Sequence, residues 1–552
     1  MDASEARSVL EGAGVDLSEP DRNELLARTE GWPAGLYLAA LAIKAGGPRA
    51  GPGVTFSGED RFVGDYLRME FLDRVSRADV SFLTRTSILD RLSGPLCDAV
   101  TESRGSIRVL HRLEQSNLMV VPLDRRGEWY RYHHLFQDLL RSELERREPG
   151  VIEGLHLRAA DWYEANGSPV QAIEHLLLTG EGDRTARAMT PVLPTNHETG
   201  ASSINLRWVS TLGDAQIERY PPLAVLVGWL AATQGDPRKA DRWAAFVDAA
   251  VFDEAPGDGS ASFDSARAML RAIMCAHGPE RMLTDALFAV EQEKPWSPWR
   301  PNALWLLAEA KLLTGATEEA RHAFVEASSA AAASSRFAGL LLAEAGLALL
   351  AIDRGSWDEA TDHLRLARAT ADEHGLQYGM ASGLTSVGFA RWALHVGDPK
   401  TASAEINRAM RVRPFATYGV PFIAVRLRLW LAKLHFALAD IVAARHLLLE
   451  IDDILRHRPA LGTLVDEVDK FRLDVDSSAS AAVGPSPLSP AELRVLPYLQ
   501  THLTLGAIAA RLFVSRHTVR SQVMSIYRKL GASSRQDAVE RATAIGLLGA
   551  SH

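Results

Sequence analysis

The chain has 552 residues, 47% apolar and 23% charged, with a formal charge of −9. That leaves room for roughly three or four domains of ordinary globular composition. Its two cysteines, Cys97 and Cys275, stand too far apart for a metal knuckle or a disulfide framework, which fits a reducing, cytoplasmic setting. No apolar run is long enough to span a membrane; Pro222 to Ala232 comes nearest and is too short, and the polar start MDASEARS lacks a signal-peptide pattern. Alanine-rich helical periodicity dominates and few segments alternate like strands, so the expected fold class is mainly α.

Residues 1–58 read as helices. Pro20-Asp21 starts one, and Leu25, Leu26 and Leu36 to Ile43 supply apolar faces. Between them TEGWPAGL, Thr29 to Leu36, is a tight break with a buried tryptophan, and Gly46 to Gly58 is a glycine- and proline-rich loop. In residues 59–148, DRFVGDYLRMEFLDRV is an amphipathic helix, and FLTRTSILDRLSGPLCDAV is a second one broken at Gly94-Pro95. Val109 to Leu118 is helical. Met119 to Leu123 and Trp129 to Tyr132 flank a turn at Asp124 to Glu128 that contains Gly127. Helix, hairpin and helix make a winged-helix pattern. Without a basic surplus it reads as a packing domain rather than a DNA-binding wing. His133 and His134 have no cysteine or carboxylate at metal spacing, so they read as structural and no metal is expected.

TEGWPAGL and YRYHHLF resemble the corresponding stretches of the MalT-like large regulators, a branch of the signal-transducing ATPases with numerous domains. The resemblance implies that Gly31 and Pro33 lie against an adenine and that His133 faces nucleotide phosphates. No G-x-x-x-x-G-K-[ST] occurs in the sequence, and no strand-ending acidic pair precedes Gly31. Gly31, Pro33 and His133 are therefore expected to be vestigial. Residues 1–58 would be a helical remnant of a nucleotide-binding unit, the chain starting just past the ATPase core. No ATP hydrolysis and no cofactor are expected.

Residues 149–473 form helix upon helix. Gly235, Gly278, Gly315, Gly355, Gly397 and a stand-in, Ala439, recur at steps of 43, 37, 40, 42 and 42. Five residues after each come Ala240, Leu283, Ala320, Ala360, Ala402 and Ala444. This spacing predicts helical hairpins of roughly 40 residues, with glycine at the turn and a small residue where the helices cross. The region loosely resembles the tetratricopeptide superhelix of the same regulators. Such an array leaves a concave surface for a small-molecule or protein effector. Trp229, Trp243, Trp296, Trp299, Trp305, Trp357, Trp392 and Trp430 read mostly as core, with roughly a quarter on a binding surface. Asp474 to Pro487, DVDSSASAAVGPSP, is a small-residue linker.

Residues 488–552 carry the clearest chemistry. Ser489 caps a first helix, Pro490 suits its first position, and Glu492 completes a capping box; Pro497 breaks the pattern. Thr504 caps a second helix whose Ile508, Ala509 and Leu512 face inward. After a short turn at Phe513-Val514, Ser515 caps a third. At 100° per residue Val519, Val523, Ile526 and Leu530 lie within about 40° of one line and form its core face. His517, Arg520, Ser521, Met524 and Arg528 face the other way, and Gly531 ends the helix. Arginine forks onto guanine, serine donates or accepts, and an apolar tip touches a thymine methyl. This segment holds eight Arg and Lys against three Asp and Glu, a balance of +5, so the remainder of the chain carries −14. A basic tail on an acidic body points to a polyanion.

The segment resembles the LuxR-type DNA-binding domain, a four-helix helix-turn-helix module. Glu492, Val495, Leu496, Ile508, Ala509, Leu512, Ser515, Thr518, Val519, Ile526, Lys529, Leu530, Gly531, Ser534, Arg535 and Ala538 match its pattern. The resemblance implies that Arg520, Ser521 and Met524 lie near bases and Thr518, Arg528, Ser534 and Arg535 near phosphates. It also implies pairing of two copies through a fourth helix, Arg535 to Thr543. Gln522 replaces the usual histidine and Met524 an often basic residue. Face and resemblance together give a DNA-facing set of Arg516, His517, Thr518, Arg520, Ser521, Met524, Arg528, Lys529, Ser534 and Arg535.

The expected function is sequence-specific transcription regulation: double-stranded DNA is the partner of the tail and an effector that of the array. The protein would act as a homodimer or higher oligomer, with RNA polymerase a further partner and no membrane. The alternatives are a repeat scaffold with a vestigial DNA-binding tail and an ATP-dependent switch truncated of its core. The sequence shows no enzyme constellation.

Overall fold

The computed structural model describes residues 3–45, 61–116, 119–482, 488–501, 503–512, 514–544 and 547–548. The expected loop at Gly46 to Gly58, Leu118, residues 483–487 of the expected linker and Phe513 lie outside them. Helices dominate throughout, and two compact units divide the chain, Met1–Met189 and Thr190–His552.

In the first unit, helices Ala3–Gly12, Glu19–Arg28 and Pro33–Ala45 bury Leu10, Leu25 and Leu36. Ser18 caps the second by accepting from the Asp21 amide. A winged helix follows. Its sheet has the order β1 (Leu92–Ser93), β3 (Trp129–Tyr132), β2 (Val120–Pro122), all antiparallel. Tyr130 faces Leu92 on one side and Pro122 on the other. The wing turn forms as the residues dictate. The Asp124 carboxylate accepts from the amides of Arg126, Glu128 and Trp129 at 2.7, 3.2 and 2.7 Å, and Gly127 takes φ +65°. Gly94-Pro95 does not break a helix; it starts one. Ser93 caps helix Gly94–Thr101 with Pro95 in its first turn, and the preceding residues separate it from helix Arg77–Thr86. Proline's missing N–H is harmless there.

The second unit is the repeat array. Its hairpins pair helices Pro221–Thr233 with Pro237–Ala249, Phe263–Met274 with Pro279–Gln292 and Arg300–Leu313 with Thr317–Ala333. Phe337–Asp353 with Trp357–His374, Met380–His395 with Pro399–Val412, and Pro421–Ala437 with Ile441–His457 complete it. The five predicted turn glycines all have φ between 77° and 86°, and Ala439 accepts the same left-handed backbone at 62°. Ala240, Ala320, Ala360, Ala402 and Ala444 are fully buried at the crossings. Leu283 departs from the pattern. Gly278 is itself the N-cap, one residue nearer its helix than the other turns, so Met282 fills the crossing and Leu283 turns partly outward.

Long-range contacts tie distant parts of the array together. Glu198 accepts from the Ala338 amide at 2.8 Å, and Thr463 donates to the Leu312 carbonyl at 3.0 Å. Arg458 pairs with Asp241. A Cβ on Gly462 would stand 2.0 Å from the Leu313 carbonyl oxygen, so only glycine fits. The Nη1 of Arg426 donates to both oxygens of Glu309 at 2.9 and 2.7 Å, both side chains buried. Among the tryptophans, Trp243 and Trp305 are core and Trp296 is exposed. The stretch read as a linker begins as helix: the last helix of the array runs Thr463–Ala482. Val468, Phe471 and Val475 are buried along it, and their packing overrides the small-residue composition that follows.

Candidate nucleic-acid interface

A local side-chain cap fixes the start of each C-terminal α-helix. Ser489 accepts from the Glu492 amide and Glu492 reaches back to the Ser489 amide at 2.6 Å, a complete capping box on helix Pro490–Val495. Pro497 then acts as a converter: it stands in the first turn of a 3-10 stretch, Leu496–Gln500, where its missing N–H is tolerated. Thr504 caps helix Leu505–Leu512 through the Ala507 amide at 3.2 Å. Ser515 caps helix Arg516–Leu530 through the Thr518 amide at 3.0 Å, and Gly531 closes it in the left-handed conformation.

Val519, Val523 and Ile526 are buried with Ile508, Ala509 and Leu496, so the third helix is held by its apolar face. Burying each such aliphatic side chain contributes about 1.5–3 kcal/mol. The opposite face is solvent-exposed: Arg516, His517, Arg520, Ser521, Met524 and Arg528 all lie on it. Arg516, His517 and Arg520 have no side-chain partner among the described residues, and Met524 is 60% exposed. Arg528 donates to Ser525 at 3.3 Å. Thr518 shares a hydroxyl contact with Ser515 at 2.8 Å beside the helix N-terminus. Ser534 caps the fourth helix, Arg535–Ala544, through the Asp537 amide.

Two residues of the expected set are placed otherwise. The Lys529 ammonium lies 2.7 Å from the Glu492 carboxylate. Burial opposes the charge of Glu492, but Lys529 and the Ser489 amide outweigh it and hold its pKa at about 2. Arg535 turns inward and donates to the carbonyls of Leu499, Leu503 and Tyr498 at 3.0, 2.8 and 2.7 Å, and to that of Thr501. These carbonyls lie at the end of the 3-10 stretch and just past it. Lys529 and Arg535 are thus engaged within the domain, and Arg516, Arg520 and Arg528 are exposed cations of helix Arg516–Leu530. Charge counting along the sequence could not separate the two groups, because their partners lie 32 to 37 residues away.

The residues carried over to a nucleotide also come together, in the first unit, but as a packed knot. His133 is buried, its Nε2 3.1 Å from the Thr29 carbonyl and its ring edge-on to Trp32. Its Nδ1 is sealed from solvent and lacks a hydrogen-bond partner. Burial pushes the ring toward its neutral form against the pull of Glu30. Arg131 spends its fork on Glu30 at 2.7 and 2.6 Å, and Gly31 turns at φ +70° ahead of helix Pro33–Ala45. The Nε2 of His133 and both ends of the Arg131 guanidinium are thus engaged within the first unit.

Residues 68–152 match the MalT winged helix domain, and residues 486–542 match the bacterial regulatory proteins of the luxR family. The chain is 30% identical over 185 residues to the serine/threonine-protein kinase PknK of Mycobacterium tuberculosis, covering 33% of this chain and 17% of that protein. It is 28% identical over 232 residues to the HTH-type transcriptional regulator MalT of Vibrio parahaemolyticus, covering 40% of this chain and 24% of that one. MalT of Klebsiella pneumoniae is 29% identical over 225 residues, with the same two coverages, 40% and 24%. The matches thus span less than a quarter of the length of these relatives. A solved signal-transduction ATPase with a tetratricopeptide repeat sensor, from Pyrococcus horikoshii, aligns with 85% of this chain and 74% of its own at 12% identity and a TM-score of 0.38. A MalT-type winged helix and a LuxR-type C-terminal domain on one chain, with MalT relatives near 28% identity, are consistent with a MalT-like regulator of the LuxR family.

Proposed function

We propose that the protein is a transcription regulator that reads double-stranded DNA with helix Arg516–Leu530 and senses an effector on its repeat array. The observation that carries this reading is the division of that helix into a buried valine face and an exposed face with Arg516, Arg520 and Arg528. A helix held upright by its core and showing arginine, serine and methionine outward suits the major groove. Arg520, Ser521 and Met524 are the base-facing residues of this proposal. Arg516, His517, Thr518, Arg528 and Ser534 are its phosphate-side residues. Its mechanism is positioning and electrostatics, without covalent chemistry, in a cytoplasmic protein. Two copies pair through helix Arg535–Ala544, and RNA polymerase is the downstream partner. Genomic fragments selected by the full chain would supply the operator for a mobility-shift titration. Affinity is expected to fall steeply with salt, and Arg520→Ala to weaken specific binding by about 1–3 kcal/mol. Wild-type affinity for Arg520→Ala, or no binding at low ionic strength, would overturn the reading.

A further inference from the structure

Outside the C-terminal domain the chain carries a net charge of −14 by count, yet one cavity in the array gathers arginines. It lies among helices Trp357–His374, Met380–His395 and Pro399–Val412 and has a volume of about 270 Å³. That is near the lower end of small-molecule pockets. Arg368, Arg408 and Arg411 line it, against Glu405 and Asp372.

The hydrogen bonds show which groups are already engaged. Glu405 is buried and accepts from Arg368 at 3.2 and 2.7 Å and from Arg408 at 3.0 Å. One carboxylate thus serves two guanidinium groups. Arg411 makes no side-chain hydrogen bond or ion pair to any described residue. On the floor, the buried Ser386 oxygen accepts from Arg368 at 3.4 Å, which leaves its own proton to give. Tyr378, 76% exposed, stands at the rim. The wall therefore offers more donors than acceptors and more positive than negative charge.

We propose that this cavity binds a small anion bearing a phosphoryl or carboxylate group, with Arg411 and Arg408 as its charged contacts and the Ser386 hydroxyl as a further donor. A planar fork beside a hydroxyl matches the oxygens of either group. As the effector site of the array, the cavity rests on the regulator reading; anion binding itself does not.

The test uses the full chain and two probes, inorganic phosphate and succinate, each titrated against chloride at constant ionic strength. Hydrogen exchange of helices Met380–His395 and Pro399–Val412 is the readout. At least one probe is expected to slow it saturably, about tenfold at ten times its apparent Kd, and comparison of the two assigns the group. Arg411→Gln is expected to raise that Kd at least tenfold, while Arg365→Gln, an exposed residue paired with Asp362, leaves it unchanged. Absence of saturable protection by either probe, or equal protection of Arg411→Gln, would overturn the site. Equal protection would mean that the anion acts elsewhere, on the basic C-terminal domain included. If Arg411→Gln does not fold, Arg408→Gln carries the same two outcomes, since Glu405 keeps Arg368. The effector role is read separately, from the mobility shift with and without the probe, so the two ideas fail independently.

Discussion

Replacing Arg535 with alanine separates a brace from a DNA contact. Its guanidinium is the common donor to the carbonyls of Tyr498, Leu499, Thr501 and Leu503, at the end of the 3-10 stretch and the entry to the second helix. A hydrogen bond from a charged donor contributes about 1.5–3 kcal/mol. Arg535 is only partly buried, so water recovers some of the carbonyls in the variant. We therefore expect a net loss of about 2–4 kcal/mol, far below the sum of four such bonds. In hydrogen exchange of the full chain, amides of helix Arg516–Leu530 should exchange roughly 30 to 1,000 times faster, at 1.4 kcal/mol per factor of ten. Arg535→Lys should not restore protection, because a point charge cannot span four acceptors. For the DNA that the variant still binds, the dependence of affinity on salt should keep its slope. The reasoning fails if exchange stays at wild-type rates while the salt slope drops by about one, which would make Arg535 a phosphate contact.

Two further outcomes concern buried polar pairs. His156 and His175 share a 2.8 Å contact between their Nδ1 atoms, and burial lowers both pKa values from 6.5 to about 4. Unfolded histidines take up protons first as the pH falls. The first unit is therefore fully stable above pH 6.5 and loses stability down to about pH 4, by at most about 1.4 kcal/mol per pH unit per histidine. Pulse proteolysis in urea across that range should show this slope, and a double leucine replacement should flatten it. In the array, Arg426→Met should cost about 3–5 kcal/mol by leaving Glu309 charged and buried, and adding Glu309→Leu should recover much of the loss. The tryptophan emission of Trp305, which packs against Phe422 with ring centroids 5.8 Å apart, reports both in urea unfolding.

The C-terminal module was legible because its boundaries are local. Ser489, Thr504, Ser515 and Gly531 each fix an end through atoms within a few residues, so spacing alone located the helices. The wing turn was legible for the same reason. What spacing could not show were long-range commitments. Lys529 and Arg535 look like surface cations until Glu492 and the carbonyls after Tyr498 are folded against them. Glycine periodicity gave the array its turns, but the one-residue shortening at Gly278 moved the crossing from Leu283 to Met282. Serine and alanine after Asp474 suggested a linker, whereas the helix runs on to Ala482 and Val475 is buried along it.

The long-range ties within the array have a consequence for how it unfolds. In an open solenoid each repeat touches only its neighbours, so unfolding can fray from one end. Here Glu198 reaches Ala338, Thr463 reaches Leu312 and Arg458 reaches Asp241, ties that span 140, 151 and 217 residues. Loosening the last repeat therefore disturbs the earlier ones as well.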